Sequence, residues 1–118
     1  MTPQTPYISL AVAPGPLVGP VLRRVVGILA ARADMPVDRV DEVILVAEAL
    51  AQAAARHVTA DRLGVAMYDG DGTLRLEFGP LERGTSGEAL GTAPTNGGGN
   101  VAEVRSGDDG DYLVLTVA

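Results

Sequence analysis

The sequence predicts an α+β fold, a two-layer sandwich in which two helices cover one face of a mixed or antiparallel sheet of about five strands. Three observations carry that expectation. A short β-type run opens the chain, two stretches then place apolar residues at three- and four-residue spacing, and the second half alternates apolar and polar residues between Gly-rich turns. With 118 residues there is room for one hydrophobic core, so residues 1–118 read as a single domain.

"YISLAVA" (7–13) mixes β-branched and aromatic residues in partial alternation and is stopped by Pro14-Gly15-Pro16, which makes it a strand. In "PVLRRVVGILAARAD" (20–34), Val21, Leu22, Val25, Leu29 and Ala33 form a stripe, with Arg23, Arg24 and Arg32 largely off it. Pro20 falls near the first turn, where a missing N–H costs little. Asp34 and Pro36 interrupt the pattern. Asp38 can then cap a second helix whose first turn holds Asp41 and Glu42, and which runs to about His57. Val40, Val43, Ile44, Ala47, Leu50, Ala51 and Ala54 are its expected buried face.

"RLGVAMYD" (62–69) and "TLRLEFG" (73–79) flank Gly70-Asp71-Gly72 and read as a hairpin, with Leu74, Leu76 and Phe78 facing one way and Arg75 and Glu77 the other. Residues 79–100, "GPLERGTSGEALGTAPTNGGGN", are rich in Gly, Thr and Pro. They are expected to form a flexible, lid-like loop, with a short helical possibility around Ser86 to Leu90. "VAEVRS" (101–106) and "DYLVLTVA" (111–118) close the chain as a second hairpin around Gly107-Asp108-Asp109-Gly110. Leu10, Val12, Leu113 and Leu115 alternate such that one set is expected to face the helices, leaving the other for a homodimer contact.

Composition narrows the function classes. Aromatic residues make up only 3% of the chain and Trp is absent, so the core must be aliphatic, which favours close helix-on-sheet packing over an aromatic-lined pocket. The net charge of -6 argues against binding the phosphate backbone of nucleic acid, which needs clustered positive charge. With no Cys, disulfides, thiolate metal sites and Cys nucleophiles are excluded, and a single His excludes multi-His metal centres. Apolar runs are broken by Arg, Gly or Asp well short of a membrane span, so the expectation is a soluble, cytoplasmic protein without a membrane partner.

The chemistry-bearing candidates lie in "VAEALAQAAARHV" (46–58). On a helical wheel Glu48 and Gln52 share a stripe with Asp41 and Ala55 beside the apolar face, at the expected rim of the helix–sheet interface. A carboxylate there can serve as a general base toward a hydroxyl or water, and an amide one turn on can offer its oxygen to hydrated Mg²⁺. From the residues alone, the preferred reading is that both are polar residues at a half-exposed helix edge. Arg56 and His57 suit the negative end of the helix dipole and are assigned no chemistry.

The stretch "VDRVDEVILVAEALAQAAARHV", preceded by a strand and an Arg-bearing helix and followed by "GVAMYDGDGTLRLEF", resembles the anti-sigma factor serine kinases of the histidine-kinase-like GHKL ATPases. That family carries an E-x-x-x-N-x-x-x-x-H helix. The resemblance implies a truncated Bergerat-type ATP-binding fold in which Glu48 matches the catalytic base, His57 the trailing histidine, and Gln52 the Mg²⁺-binding Asn. It also implies that Gln52, Gly97, Gly98 and Gly99 would meet nucleotide, with Gln52 on the metal.

Three departures from the family run together. Gln52 moves the amide oxygen outward by one methylene. Pro80, or a neighbour in "EFGPLERG", stands where the family's adenine-binding Asp opens a D-x-G-x-G turn. Gly97-Gly98-Gly99-Asn100 runs straight into "VAEVRS" without the family's lid helix. The expectation is therefore a regulator that acts by protein–protein binding, with a sigma factor or anti-sigma antagonist as partner by resemblance, nucleotide binding lost and no cofactor. One alternative is an active ATP- and Mg²⁺-dependent serine kinase with Glu48 as base; another is a dimerising scaffold module.

Overall fold

A computed structural model describes residues 6–70, 73–85 and 100–117. Strand β1 (Ile8–Val12) leads into helices α1 (Val18–Arg32) and α2 (Val37–Ala55), followed by β2 (Leu63–Gly70), β3 (Thr73–Leu81), β4 (Asn100–Gly107) and β5 (Gly110–Val117). All strand pairs are antiparallel, in the order β1-β2-β3-β5-β4, so the sheet is antiparallel and not mixed. Both helices lie on one face, the α+β two-layer arrangement expected.

The link between the helices is a tight reversal. Asp34 takes the left-handed conformation (φ 60°), while Met35 N–H donates to Ala30 O and Asp34 N–H to Ala31 O, satisfying two of the last four carbonyls of α1. A short polar residue tolerates this conformation best among non-glycines. α2 consequently runs back along α1, and the two pack as an antiparallel pair.

The core is aliphatic apart from Phe78. Leu22, Val26, Leu29 and Ala30 of α1 meet Val43, Ala47, Leu50, Ala51 and Ala54 of α2, and both layers cover Leu63, Val65, Met67, Leu74, Leu76, Leu113, Leu115 and Val117 of the sheet. The α1 stripe is thus centred one position further round than its spacing suggested. Val21 and Val25 are only partly buried, and Ala33 lies past the helix end, exposed.

Several expectations shift. Pro36, not Asp38, precedes the first residue of α2; Asp38 sits inside the first turn, where its charge still complements the dipole, and α2 ends at Ala55 rather than His57. Beyond Gly79, the expected end of this strand, Pro80 and Leu81 also belong to β3 and not to the loop expected over 79–100. Pro80, which has no N–H to donate, is accommodated where the β3–β5 register shifts between Phe78 and Leu81. The possible helix around Ser86 to Leu90, and Gly97, Gly98 and Gly99, lie outside the described residues. Leu10, Val12, Leu113 and Leu115 all turn toward the helices, so none of them is left for a contact on the other face.

That other face carries the alternate residues: Ser9, Ala66, Glu77, Val114 and Glu103 lie in one row across the sheet, and Tyr68, Arg75, Thr116 and Val101 in another. No helix covers it among the described residues. No helix of the described residues is long and apolar enough to cross a membrane.

Candidate functional site

Glu48 and Gln52 lie one turn apart on α2, and both turn toward the first turn of α1. The reason is Gly19. A Cβ built at this position would stand 2.7 Å from Glu48 Oε1 and 3.1 Å from Gln52 Nε2, so the missing side chain is what lets the two polar ends reach the α1 backbone. Glu48 Oε2 then accepts a hydrogen bond from Arg23 Nη2 at 3.1 Å, with the Glu48 side chain 19% exposed.

This arrangement answers a local need of α1. Its N-cap residue, Leu17, makes no side-chain capping bond, and its first turn holds no acidic residue. Glu48 supplies the missing negative charge from the neighbouring helix, beside the positive end of the α1 dipole. The wheel position of Glu48 beside the apolar face is observed, but the neighbour is α1 and not the sheet rim. Glu48 and Gln52 are thus oriented by contacts within the chain, to Arg23 and Gly19.

An open cleft of about 450 Å³ adjoins them where the start of α1 meets the end of α2, lined by Pro14, Gly15, Val18, Gln52, Ala55 and Arg56. Gln52 and Arg56 are exposed there, while Glu48 is not among its lining residues. The end of α2 is stitched to the end of β3: His57 O accepts from Glu82 N–H at 2.8 Å, Val58 bridges to Leu81, and Thr59 N–H donates to Pro80 O at 3.1 Å. His57 therefore serves this junction through its backbone. Among the described residues no group of three or more His, Asp and Glu side chains is placed to hold a metal ion.

Sequence reasoning passed over a second cluster, on the open face of the sheet. Glu77 is only 9% exposed although no helix covers it, because two arginines close over it. Arg105 donates to Glu77 Oε1 through Nη2 at 2.7 Å and Nε at 3.2 Å. Arg75 Nε lies 3.1 Å from Glu77 Oε2 but off line for a hydrogen bond, so that nitrogen is buried without one. Each guanidinium also rests on a ring, Arg75 on Tyr68 with 4.1 Å to the centroid and Arg105 on Tyr112 with 4.4 Å.

Backbone glycines shape this face. Gly64 and Gly79 are direct cross-strand partners, and a Cβ on Gly79 would meet the Tyr112 ring at 2.6 Å, so the ring lies flat over β3. Beside it is a shallow hollow of about 360 Å³ bounded by Tyr68, Tyr112, Gly64, Gly79, Glu77 and Arg105. The Tyr112 hydroxyl donates to Asp109 at 2.9 Å. Burial, and then that hydrogen bond and the negative charge of Asp109, raise the phenol above its ordinary value of 10.0. The signal available beforehand was the Arg75/Glu77 alternation. What it lacked was the register that brings Arg105, from a strand separated by a long insertion, to the same carboxylate.

No protein-family model and no curated protein matches the chain.

Proposed function

We propose that this chain is a regulatory protein of the anti-sigma factor kinase-like type that works by binding another protein, a sigma factor or an anti-sigma antagonist, without using a nucleotide. The observation that carries the reading is the engagement of Glu48. The carboxylate that would act as base is paired with Arg23 and packed on Gly19 of α1, and it is not among the residues that line the adjoining cleft. Gln52, at the position of the metal-binding amide, has its Nε2 end on the same glycine. The class of partner comes from the resemblance of the α2 sequence to that family, and fold likeness alone never fixes function.

Titration calorimetry with ATP and Mg²⁺, on the native protein and on Gln52→Asn, tests the loss of the nucleotide site. The expected result is no binding heat from either. Binding by the native protein overturns this reading. Capture of partners from the native host is the complementary test: recovery of neither a sigma factor nor an anti-sigma antagonist counts against the assignment.

A second reading, an active serine kinase, is favoured by one feature: the cleft at the start of α1 is open and presents Gln52 and Arg56. It requires Glu48 to leave Arg23 when substrate binds, and it expects Glu48→Ala to abolish phosphate transfer to a partner serine while leaving the fold intact.

A further inference from the structure

The two edges of the sheet are built differently. β1 is five residues long and sits between Pro6 and Pro14, which limits what can pair along it. β4 runs eight residues without Pro and without a register shift, paired along one side to β5. Among the described residues no strand pairs with its other side. It also exposes two apolar side chains, Val101 (55%) and Val104 (41%), where edge strands are ordinarily blunted by charge, Pro or bulges.

We propose that β4 pairs with β4 of a second copy of this chain, antiparallel and centred on Val104, so that two sheets join into one. The proposal stands apart from the regulatory reading above and holds whether or not nucleotide binds.

Geometry restricts the register. A two-fold axis perpendicular to the sheet keeps the helices of both copies on one side, and paired residues must then share a face, so the axis passes through one residue position. Centred on Glu103 it would set two carboxylates opposite each other, and centred on Arg105 two guanidinium groups; both are repulsive. Centred on Val104 it sets Glu103 opposite Arg105 of the second copy, twice, with Val104 against Val104 on the helix side and Val101 opposite Gly107. The sequence Glu103-Val104-Arg105 thus complements itself in one register and opposes itself in the two flanking ones.

Of the two charges, Glu103 is the one left open at the edge. Glu103 has no hydrogen bond or ion pair among the described residues. Arg105 is drawn inward over β5 onto Tyr112 and Glu77, away from the free edge, and its side chain is 49% exposed, so on association it turns from Glu77 to Glu103 of the second copy.

The absence of native Cys gives a clean test. Val104→Cys and Val101→Cys each place a single thiol on β4. In the proposed register the two 104 positions are direct cross-strand neighbours, within disulfide reach, whereas the two 101 positions stand about 20 Å apart. Under mild oxidation Val104→Cys is expected to form a covalent dimer and Val101→Cys to remain monomeric, with circular dichroism confirming that both variants fold. Sedimentation equilibrium of the native chain is expected to show concentration-dependent dimerisation, weakened about tenfold or more by Glu103→Arg. A native chain that stays monomeric at every concentration overturns the proposal. So does equal cross-linking of the two cysteines, cross-linking at 101 alone, or association that Glu103→Arg leaves unchanged. A β4 edge that instead takes a strand from an unlike protein would give the first of these results.

Discussion

On the helix-covered face of the sheet, Leu76 and Phe78 meet no water and make no polar contact, held there by the area they remove from it. On the other face of the same strand, Arg75 and Glu77 alternate with them and are fixed by directional contacts to Arg105, Tyr68 and Tyr112. The first face supplies stability, since burial of apolar surface is the largest favourable contribution to folding and needs no orientation. The second contributes modestly to stability but sets where each group stands, because ion pairs and ring stacking depend on geometry. β3 therefore joins two different kinds of surface through one backbone, and substitutions on it should separate them.

The largest expected effect is on the covered face. Phe78→Ala removes the one aromatic side chain of the core and leaves a cavity between both helices and the sheet; a loss of about 3–5 kcal/mol is expected from the urea midpoint at constant slope. A loss under about 1 kcal/mol would mean that the helices close over the gap and that the layers are less fixed than described. Next comes Gly79→Ala, one residue along β3 and pointing the other way. Its Cβ would stand 2.6 Å from the Tyr112 ring and 2.9 Å from Asp111 O, so a cost of about 1–3 kcal/mol is expected, with a change in tyrosine fluorescence as the ring lifts from β3.

Glu77→Ala removes the shared acceptor and leaves two arginines side by side. Because Arg75 and Arg105 are 36% and 49% exposed, solvent screens them, and the expected cost is only about 1–2 kcal/mol, shrinking as salt is added. Arg105→Ala should cost more than Arg75→Ala, since Arg105 makes two aligned bonds to Glu77 and Arg75 makes none. Equal losses in thermal melts would sink that ranking.

The smallest effect is in pH dependence. The fold favours the protonated Tyr112 phenol, so the unfolded chain releases its proton first as pH rises. The contribution is whole below the free-phenol value of 10.0 and is lost as pH climbs through the higher folded value. Native protein should therefore lose stability above about pH 10 more steeply than Tyr112→Phe, and parallel urea midpoints from pH 8 to 11 would contradict it.

Much of the covered face was legible in the sequence. Leu74, Leu76 and Phe78 alternate cleanly, and the Val43 to Ala54 stripe keeps helical spacing, because one-sided burial imprints its period directly. The open face was not legible, since Arg75, Glu77 and Arg105 come together only through the β3–β5–β4 register, which no local pattern encodes. Pro80 and Leu81 open a stretch whose Gly-, Thr- and Pro-rich composition reads as loop; the register shift that accommodates Pro80 in β3 is a tertiary event. Glu48 shows the same limit differently. Its place beside the apolar stripe could be read, but its neighbour could not. The short connection through Asp34 and Pro36 forces α2 back along α1, and Gly19 in the first turn of α1 was the available sign that something would pack closely there.

The strand order carries a consequence for how the chain is made. β5, last among the described strands, lies between β3 and β4 and not at the margin. During synthesis β4 leaves the ribosome with no described strand to pair with, and β3 waits with one side of its backbone open. Only when β5 emerges do both acquire their neighbour in a single step. That side of the sheet therefore closes late and all at once, and until that moment the nascent chain holds β4 unpaired and β3 paired to β2 alone, a vectorial delay in which chaperone contact and premature association compete.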